Sequence, residues 1–377
     1  MSEWYCPLPF RHAYVDSTGI SACCQTQRYQ TTLDHWPNYP ELLSLQKKLL
    51  AGEKPAECQT CVHNEQAYGT SLRIDSNRDY NNQQFDDTNI EFIDFRSINI
   101  CNFKCRSCNP VFSHGIGQEV NRYPELEKFF GPAPNTKTAA VTDANINWIM
   151  GNLGSLKRIM FTGGEPTVIP GVRDLINIIQ DKHRDIQVMI TSNASFQDDF
   201  WFDITERLTN LHWTVSVDAV GSAAEIIRHG SAWSIIERNV TWLAQHANSL
   251  DINSVVSNLT IFELGPLLEF GRRMQRLSVT PSGRHGDLGC RHQFFVCQRP
   301  YRLAADNLSE DLQQKAVGYL ESCTSLDLDN EQRNMLEGLI RQIKNANFDA
   351  DLWAQSQHYN QTLDQIRNED YLKLYQI

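Results

Sequence analysis

Short apolar runs alternate with amphipathic stretches through the middle of the chain. The apolar runs predict β-strands at 90–98, 158–162, 186–191, 211–218 and 250–258. Between them, apolar residues recur at helical spacing, which predicts helices at 172–182, 234–246 and 264–277. Strands that alternate with helices are typical of a parallel sheet covered by helices. The pattern therefore predicts an α/β fold, as an open sheet or part of a barrel, with its ligand site beyond the carboxyl ends of the strands.

The two ends of the chain have different patterns. Residues 1–85 show no sustained helical or strand period apart from one predicted helix at about 40–50, and they contain five cysteines. Because such a segment buries little apolar core of its own, it needs an additional crosslink, such as a bound metal, to be stable. After about residue 300 the chain is predicted to be helical, with Ser309 as the N-cap of one helix. We therefore expect a cysteine-rich module at 1–85, an α/β core at 86–285 and a helical region at 286–377.

Composition and charge narrow the classes of protein. The 377 residues are 41% hydrophobic and 21% charged, which is enough apolar material for a core and excludes a wholly disordered chain. No apolar run reaches the ~18–20 residues of a membrane span, and no signal peptide is evident, so we expect a soluble, cytoplasmic protein. A net charge of −11 argues against general nucleic-acid binding, which needs a positive field.

The chain contains eleven cysteines, and their clustering is the strongest chemical signal in the sequence. In a reducing cytosol such clusters usually bind metals or catalyse, whereas disulfides are rare. Cys101, Cys105 and Cys108 directly follow the first predicted strand with the spacing Cys-x3-Cys-x2-Cys. Three thiolates can hold a [4Fe–4S] cluster and leave one iron open, whereas structural zinc needs a closed tetrahedral shell. The spacing therefore favours an iron–sulfur cluster over zinc.

At these three cysteines the chain resembles the radical S-adenosylmethionine (SAM) enzymes, and the resemblance spans about residues 88–280. It implies a partial (β/α)6 TIM-like barrel and a [4Fe–4S] cluster whose open iron binds SAM. It also implies reductive cleavage of SAM to a 5′-deoxyadenosyl radical, with electrons from a donor such as flavodoxin or ferredoxin. One departure is Ser107, since many members have an aromatic residue there, near the adenine.

A second motif, Phe-Thr-Gly-Gly-Glu-Pro, follows the next predicted strand and contains Gly163, Gly164 and Glu165. Paired glycines let the backbone approach a ligand closely. By the resemblance, these three residues would hold the methionyl amino group of SAM. Taken alone, the motif could be an ordinary turn at a strand end.

The resemblance also points to polar residues that end later strands or open the following helix. These are Asn193, Ser216, Asp218 and Arg228. Ser216 would contact the SAM carboxylate or ribose, and Arg228 would pair with the carboxylate, for which a guanidinium is well suited. The alternatives are loop and cap chemistry for the first three and a solvated surface charge for Arg228.

Four cysteines of the N-terminal module could form a closed shell around either a second [4Fe–4S] cluster or zinc. They are Cys6, Cys24, Cys58 and Cys61. The segment resembles the Twitch or half-SPASM auxiliary-cluster module of radical SAM enzymes, which favours the cluster, although that module usually follows the barrel. Cys23 adjoins Cys24 and is the alternative ligand, but a Gly-x4-Cys spacing favours Cys24. Such a cluster would carry electrons, bind substrate or act as a structural staple.

Three cysteines and a basic stretch remain. Cys290 and Cys297 could exchange a hydrogen atom with a substrate radical, or simply pack, and Cys323 is predicted to be a core residue. A set of arginines late in the chain could grip an anionic substrate, or be solvated charges. The set comprises Arg272, Arg273, Arg276, Arg284, Arg291, Arg299 and Arg302.

These resemblances imply a radical SAM enzyme that abstracts hydrogen from a substrate. We rank a peptide or protein substrate first, because relatives with auxiliary clusters often modify peptides. A small anionic metabolite or nucleotide is ranked second. A function of another class is a non-catalytic, zinc-stapled interaction protein, which predicts zinc at both cysteine sites and leaves the Gly-Gly-Glu motif unexplained.

Overall fold

The computed structural model describes residues 3–131, 140–278 and 289–376. Its strands are β1 (His12–Asp16), β2 (Gly19–Ser21), β3 (Phe92–Phe95), β4 (Arg158–Phe161), β5 (Gln187–Ser192), β6 (Leu211–Ser216), β7 (Ser249–Val256) and β8 (Cys290–Val296). Its α-helices are α1 (Leu8–Arg11), α2 (Pro40–Leu50), α3 (Gln59–Tyr68), α4 (Leu72–Asp79), α5 (His114–Arg122), α6 (Glu127–Phe130), α7 (Asp143–Asn152), α8 (Pro170–Lys182), α9 (Asp199–Arg207), α10 (Gly221–Ile227), α11 (Trp233–His246), α12 (Leu264–Leu277), α13 (Glu310–Cys323), α14 (Asn330–Lys344) and α15 (Ala350–Arg367).

The strands form one mixed sheet in the order β2-β1-β3-β4-β5-β6-β7-β8. β1 pairs with β3, β3 with β4, β4 with β5, β6 with β7 and β7 with β8, all in parallel, while β2 is antiparallel to β1. Helices connect most successive parallel strands, as parallel pairing requires. The predicted α/β class is confirmed.

The predicted elements are present with small shifts of their ends. All five predicted strands occur, although β3 is limited to Phe92–Phe95, and helix α12 spans Leu264–Leu277 as predicted. Helix α13 begins after Ser309, whose side-chain oxygen accepts a hydrogen bond from the N–H of Leu312. Among the helices that the described residues form, none is long and apolar enough to cross a lipid bilayer.

Two stretches contain more regular structure than their sequence patterns predict. β1 is buried at all five positions, so it has no polar–apolar alternation to reveal it, and it nevertheless pairs with β3. The sequence pattern predicts no strand at β8 and shows only cysteines and basic residues there, yet β8 pairs with β7 along its whole length. The N-terminal segment also forms α3 and α4. The division of the chain into 1–85, 86–285 and 286–377 stays a prediction.

One compact unit comprises Met1–Asn99 and Thr138–Ile190. Strand register places Val15, Phe95 and Phe161 side by side on one face of its sheet, and all three are buried. The alternate positions Tyr14 and Asp94 also lie in register, on the opposite face. That second face therefore carries the polar groups of this unit's sheet.

The other compact unit comprises Ile100–Lys137 and Thr191–Ile377. Its apolar core joins Ile116 of α5, Ile227 of α10 and Leu363 of α15, and Cys108 packs against that core. In this unit, therefore, the predicted helical C-terminal region shares its packing with the segment that contains the Cys-x3-Cys-x2-Cys motif.

Candidate functional site

Two backbone hydrogen bonds fix the cysteine loop, residues 101–108, against the end of α10. The N–H of Lys104 donates to the carbonyl of His229, and the N–H of Arg106 donates to the carbonyl of Ile227, both at 2.9 Å. The alternate spacing of these bonds resembles strand pairing. The loop that carries Cys101, Cys105 and Cys108 is therefore held along its backbone.

A glycine permits this close approach. Gly230 has a φ of +96°, which is in the left-handed region, and a Cβ built on it would lie 3.1 Å from the carbonyl oxygen of Asn102. Any other residue would be strained here and would also crowd the cysteine loop.

The side chain of Arg106 anchors the same loop to the C-terminal helix. Its Nη2 donates to Asp364 and, at 2.6 Å, to Glu369, and its Nη1 donates to the side chain of Asn360 at 3.1 Å. The hydroxyl of Tyr359 donates to the Arg106 carbonyl at 2.6 Å. No sequence pattern points to this role, because the partners lie more than 250 positions away.

Arg228 and Asp218 form a buried pair beside the cysteines. The Nη1 of Arg228 donates to Oδ2 of Asp218 at 2.7 Å, and both residues are less than a tenth exposed. Burial acts to lower the pKa of Arg228, but the negative charges of Cys105 and Asp218 outweigh it and raise that pKa. The alternative of a solvated surface charge for Arg228 is therefore wrong. A role in binding the SAM carboxylate stays a prediction.

The surroundings of the three cysteines suit an anionic iron–sulfur cluster. The N–H of Phe103 donates to Sγ of Cys101 at 3.4 Å. Burial raises the pKa of Cys105, and the Arg228 guanidinium opposes that rise, as a bound cation would. Amide donors and nearby cations stabilise metal-bound thiolates.

Within the described residues, no three His, Cys, Asp or Glu side chains form a group that could hold a metal ion as they stand. The thiolates of a [4Fe–4S] cluster each bind a different iron, so they stand further apart than the ligands of a single ion.

Of the other predicted SAM contacts, Asn193 also reaches the cysteine loop. Its Nδ2 donates to Oδ1 of Asn102 at 2.9 Å, and Asn102 in turn donates to the Ser195 hydroxyl at 2.8 Å. Ser216 is the last residue of β6 and pairs in register with Asn253. The structure thus brings Asn193 to the loop and leaves Ser216 half-buried at the carboxyl end of its strand.

A pocket in the same unit lies beside Ser107, where many radical SAM enzymes have an aromatic residue. It is lined by Ser107, Asp218, Val255, Leu259 and Leu303, among others. Its volume of about 10 Å³ has room for about one water molecule, so the pocket does not hold an adenine ring.

The Gly-Gly-Glu motif lies in the first compact unit. Gly163 and Gly164 have φ values of +67° and +58°, and a Cβ on Gly163 would lie 2.7 Å from Cδ of Arg96. The buried carboxylate of Glu165 accepts hydrogen bonds from the hydroxyl of Thr167 at 2.6 Å and from its N–H at 3.2 Å. The motif thus caps a short 3-10 turn, and its contact with SAM stays a prediction.

Burial affects the thiols of the N-terminal cysteines. Burial, and after it the charges of Cys23, Cys58 and Cys61, raises the pKa of Cys6 well above its ordinary value. Burial likewise raises the pKa of Cys23 to about 11, with Cys61 and Cys58 adding to the effect. The set Cys6, Cys24, Cys58 and Cys61, with Cys23 as the alternative to Cys24, stays a prediction.

The two late cysteines lie at opposite ends of one strand. Cys290 begins β8, whereas Cys297 follows its last residue and is therefore at the carboxyl end. Both thiols are buried, and burial raises the pKa of Cys290 to about 12 and that of Cys297 to about 11. Asp218 contributes to the second rise, which places Cys297 in the electrostatic neighbourhood of the Arg228 pair. A role for Cys290 or Cys297 in hydrogen-atom exchange stays a prediction.

Three of the seven arginines in the basic stretch form ion pairs. Arg272 pairs with Asp327, Arg273 with Glu237 and Arg291 with Asp251. Arg302 stacks over Tyr359 at 4.5 Å, and Arg284 lies outside the described residues. The arrangement favours the alternative of paired and solvated charges over an anion-gripping patch.

Comparison with known proteins gives matches among solved structures only. No family model and no curated protein matches the chain. SuiB of Streptococcus suis is 12% identical over 91% of this chain and 88% of its own, with a TM-score of 0.36. The radical SAM methyltransferase TsrM of Kitasatospora setae, with cobalamin and a [4Fe–4S] cluster bound, is 10% identical over 72% of this chain and 61% of its own, with a TM-score of 0.36. The chain is similar to radical SAM enzymes.

A third match is anSMEcpe with bound AdoMet and the Cp18Cys peptide, which is 16% identical over 62% of this chain, with a TM-score of 0.40. In other matches the chain spans about half the length of the enzyme. It covers 46% of a second SuiB structure, which contains SAM, and 57% of anSMEcpe.

Proposed function

We propose that the chain is a radical SAM enzyme in which Cys101, Cys105 and Cys108 hold the SAM-binding [4Fe–4S] cluster. The observation that carries the proposal is the cysteine loop itself. Its spacing leaves one iron open, its backbone is fixed, and the Arg228 guanidinium lies in the electrostatic neighbourhood of Cys105. When bound, the cluster and SAM would supply a carbon radical that removes a hydrogen atom from the substrate.

The protein's own residues would orient these groups and exclude water. Arg106 and Tyr359 hold the loop, and Asp218 fixes the direction of the Arg228 guanidinium. Cys108 packs against the apolar core of its unit, which shields one side of the loop from solvent. Shielding of this kind protects a reactive radical from side reactions.

For the substrate we propose a peptide or protein, in line with the resemblance of residues 1–85 to an auxiliary-cluster module. An anionic small molecule has less support, because Arg272, Arg273 and Arg291 are already paired with carboxylates. The electron donor we propose is a flavodoxin or ferredoxin.

Anaerobic assays of SAM cleavage test the proposal. The iron-loaded protein, reduced with dithionite, is expected to convert SAM to 5′-deoxyadenosine and methionine. Cys105→Ala is expected to abolish the product. Cys323→Ala, at a buried thiol on α13, serves as the matched control and should keep the activity. Zinc in place of iron in the wild-type protein would instead support the interaction-protein alternative.

A further inference from the structure

Two arginines lie against one buried aromatic ring in the first compact unit. The guanidinium carbon of Arg28 lies 4.4 Å from the centroid of the Tyr14 ring, and that of Arg96 lies 5.0 Å from it. Tyr14 is fully buried, whereas the side chain of Arg28 is 26% exposed and Arg96 is half-buried. Contact with a rigid ring restricts the orientation of both cations, and the group is not sealed from solvent.

The arginine pair lies at the carboxyl ends of adjacent parallel strands. Asp16 ends β1, Arg96 directly follows β3 and Thr162 directly follows β4. The N–H of Arg96 donates to the carbonyl of Val15 at 2.9 Å, so the backbone of this arginine continues the ladder between β1 and β3. Parallel α/β sheets bind their ligands beyond this edge. The pair is therefore held in place where the fold class binds its ligands.

Gly163 of the Gly-Gly-Glu motif guides the side chain of Arg96. A Cβ built on Gly163 would lie 2.7 Å from Cδ, 2.8 Å from Cγ and 3.0 Å from Cβ of Arg96, so the arginine stem packs directly against the glycine backbone. The φ of +67° at Gly163 independently favours glycine. The first glycine of the motif is thus needed to place a cation as well as to form the turn.

The hydroxyl of Tyr14 lacks an acceptor. Its oxygen is buried, and within residues 3–131, 140–278 and 289–376 it forms no hydrogen bond of ordinary geometry. The guanidinium groups beside the ring carry only donors, so neither can accept the hydroxyl proton. Buried polar groups without a partner are uncommon in native proteins. A ligand oxygen that accepts hydrogen bonds would satisfy this hydroxyl and would be attracted by both cations.

Two aspartates limit the charge of such a ligand. Oδ2 of Asp16 lies 3.5 Å from Nε of Arg28. Asp94, in register with Tyr14, accepts a hydrogen bond from the Thr162 hydroxyl. Two carboxylates beside two guanidinium groups leave the group close to neutral. A singly charged carboxylate therefore fits, whereas a phosphate dianion would be repelled by the aspartates.

We propose that Arg28, Arg96 and Tyr14 bind a carboxylate of the substrate. A guanidinium suits the two oxygens of a carboxylate, and the Tyr14 hydroxyl adds a further donor. That the carboxylate belongs to the substrate rests on the proposed function, whereas the binding of a carboxylate at these residues does not. The carboxylate can come from an acidic side chain or the C-terminus of a peptide, or from a small carboxylic acid.

Ligand-detected nuclear magnetic resonance titrations of the iron-loaded, oxidised protein test the site. SAM is present throughout, so that its own carboxylate does not compete. The probes are a capped tripeptide with a central glutamate, its glutamine counterpart, a tripeptide with a free C-terminus, propionate and inorganic phosphate. We expect at least one carboxylate to bind, and to bind about ten-fold or more tightly than phosphate. The probe that binds identifies the source. Binding by none of the carboxylates, or tighter binding of phosphate, would overturn the proposal.

Matched variants locate the binding. Arg28→Met and Arg96→Met are each expected to weaken binding of that carboxylate about ten-fold, because each removes a charged donor, and Tyr14→Phe about three-fold. Arg78→Met is the control and should keep the wild-type affinity, since the Arg78 side chain is 66% exposed and pairs with Asp75. Unchanged affinity in both Arg28→Met and Arg96→Met would refute the site.

Protection of the wild-type protein from phenylglyoxal gives a readout that does not depend on how the variants fold. The reagent modifies accessible arginines, and the modified peptides are mapped by mass spectrometry with and without the carboxylate. We expect slower modification of Arg28 and Arg96 and no change at Arg78. Equal rates with and without the carboxylate would contradict the assignment. Carboxylate binding by a protein that does not cleave SAM would uphold the site and refute the radical SAM function, and SAM cleavage without carboxylate binding would do the reverse.

Discussion

Arg106 of the cysteine loop donates a hydrogen bond to Glu369 across 2.6 Å, which joins the proposed cluster site to the turn that follows α15. The side chain of Arg106 is fully buried, and Asp364 is its second carboxylate partner. The C-terminal helix therefore supports the loop directly. We expect changes in this helix to affect the iron content of the protein as well as its stability.

Loss of Arg106 should be strongly destabilising. Arg106→Leu leaves the carboxylates of Asp364 and Glu369 without their buried partner, a change that typically costs about 3–5 kcal/mol. The matched control is Arg207→Leu, because Arg207 is more than half exposed and lies 4.0 Å from Asp203. That change should cost under ~1 kcal/mol. Denaturant unfolding of both variants measures the difference, and equal midpoints would contradict the predicted anchor.

The close approach at Gly230 predicts a second effect on the loop. Gly230→Ala combines a left-handed backbone with a contact of 3.1 Å to the Asn102 carbonyl, and we expect a loss of about 1–2 kcal/mol together with weaker iron binding. Gly171→Ala is the control, since a Cβ there meets nothing within 4 Å and the residue lies in α8. It should be neutral or slightly stabilising. A neutral Gly230→Ala would show that the loop can move away at no cost.

The buried pair Asp218 and Arg228 should influence the reduction potential of the [4Fe–4S] cluster proposed at Cys101, Cys105 and Cys108. Removing the guanidinium in Arg228→Met is expected to make the potential more negative, because the cation favours the reduced, more anionic cluster. Removing the carboxylate in Asp218→Asn should shift the potential the opposite way. The double variant is expected to lie near the wild type. Redox titrations followed by electron paramagnetic resonance measure these shifts, and two single variants that shift in the same direction would refute the electrostatic account.

Asp251 gives a prediction for pH dependence. Burial opposes ionisation of Asp251, but His212 and Arg291 outweigh it and lower its pKa to about 2. A carboxylate with a lowered folded-state pKa contributes stability above the unfolded-state value, about 4, and that contribution is lost as the pH falls through the folded-state value. The contribution at neutral pH is about 2 kcal/mol.

The corresponding measurement compares Asp251→Asn with the wild type in urea, using metal-free protein. The gap in unfolding free energy should be largest near pH 7 and should narrow below about pH 4. Asp203→Asn, at an exposed carboxylate, should show no such dependence. A gap that stays constant down to pH 3 would contradict the lowered pKa.

Local patterns in the sequence predict the elements with strong periodicity, such as the helix over 264–277 and the N-cap at Ser309. The assignment of Cys101, Cys105 and Cys108 as ligands rests on their spacing and stays a prediction. β1 escapes prediction because both of its faces are buried. Arg106 escapes because its partners come together only through tertiary folding.

Electron paramagnetic resonance of the dithionite-reduced protein, with and without SAM, tests the central claim most directly. The account predicts a [4Fe–4S] signal that changes shape when SAM is added and that disappears when Cys101, Cys105 and Cys108 are all replaced by Ala. A spectrum that does not respond to SAM, or one that survives the triple substitution unchanged, would contradict the assignment of this loop as the SAM-binding site.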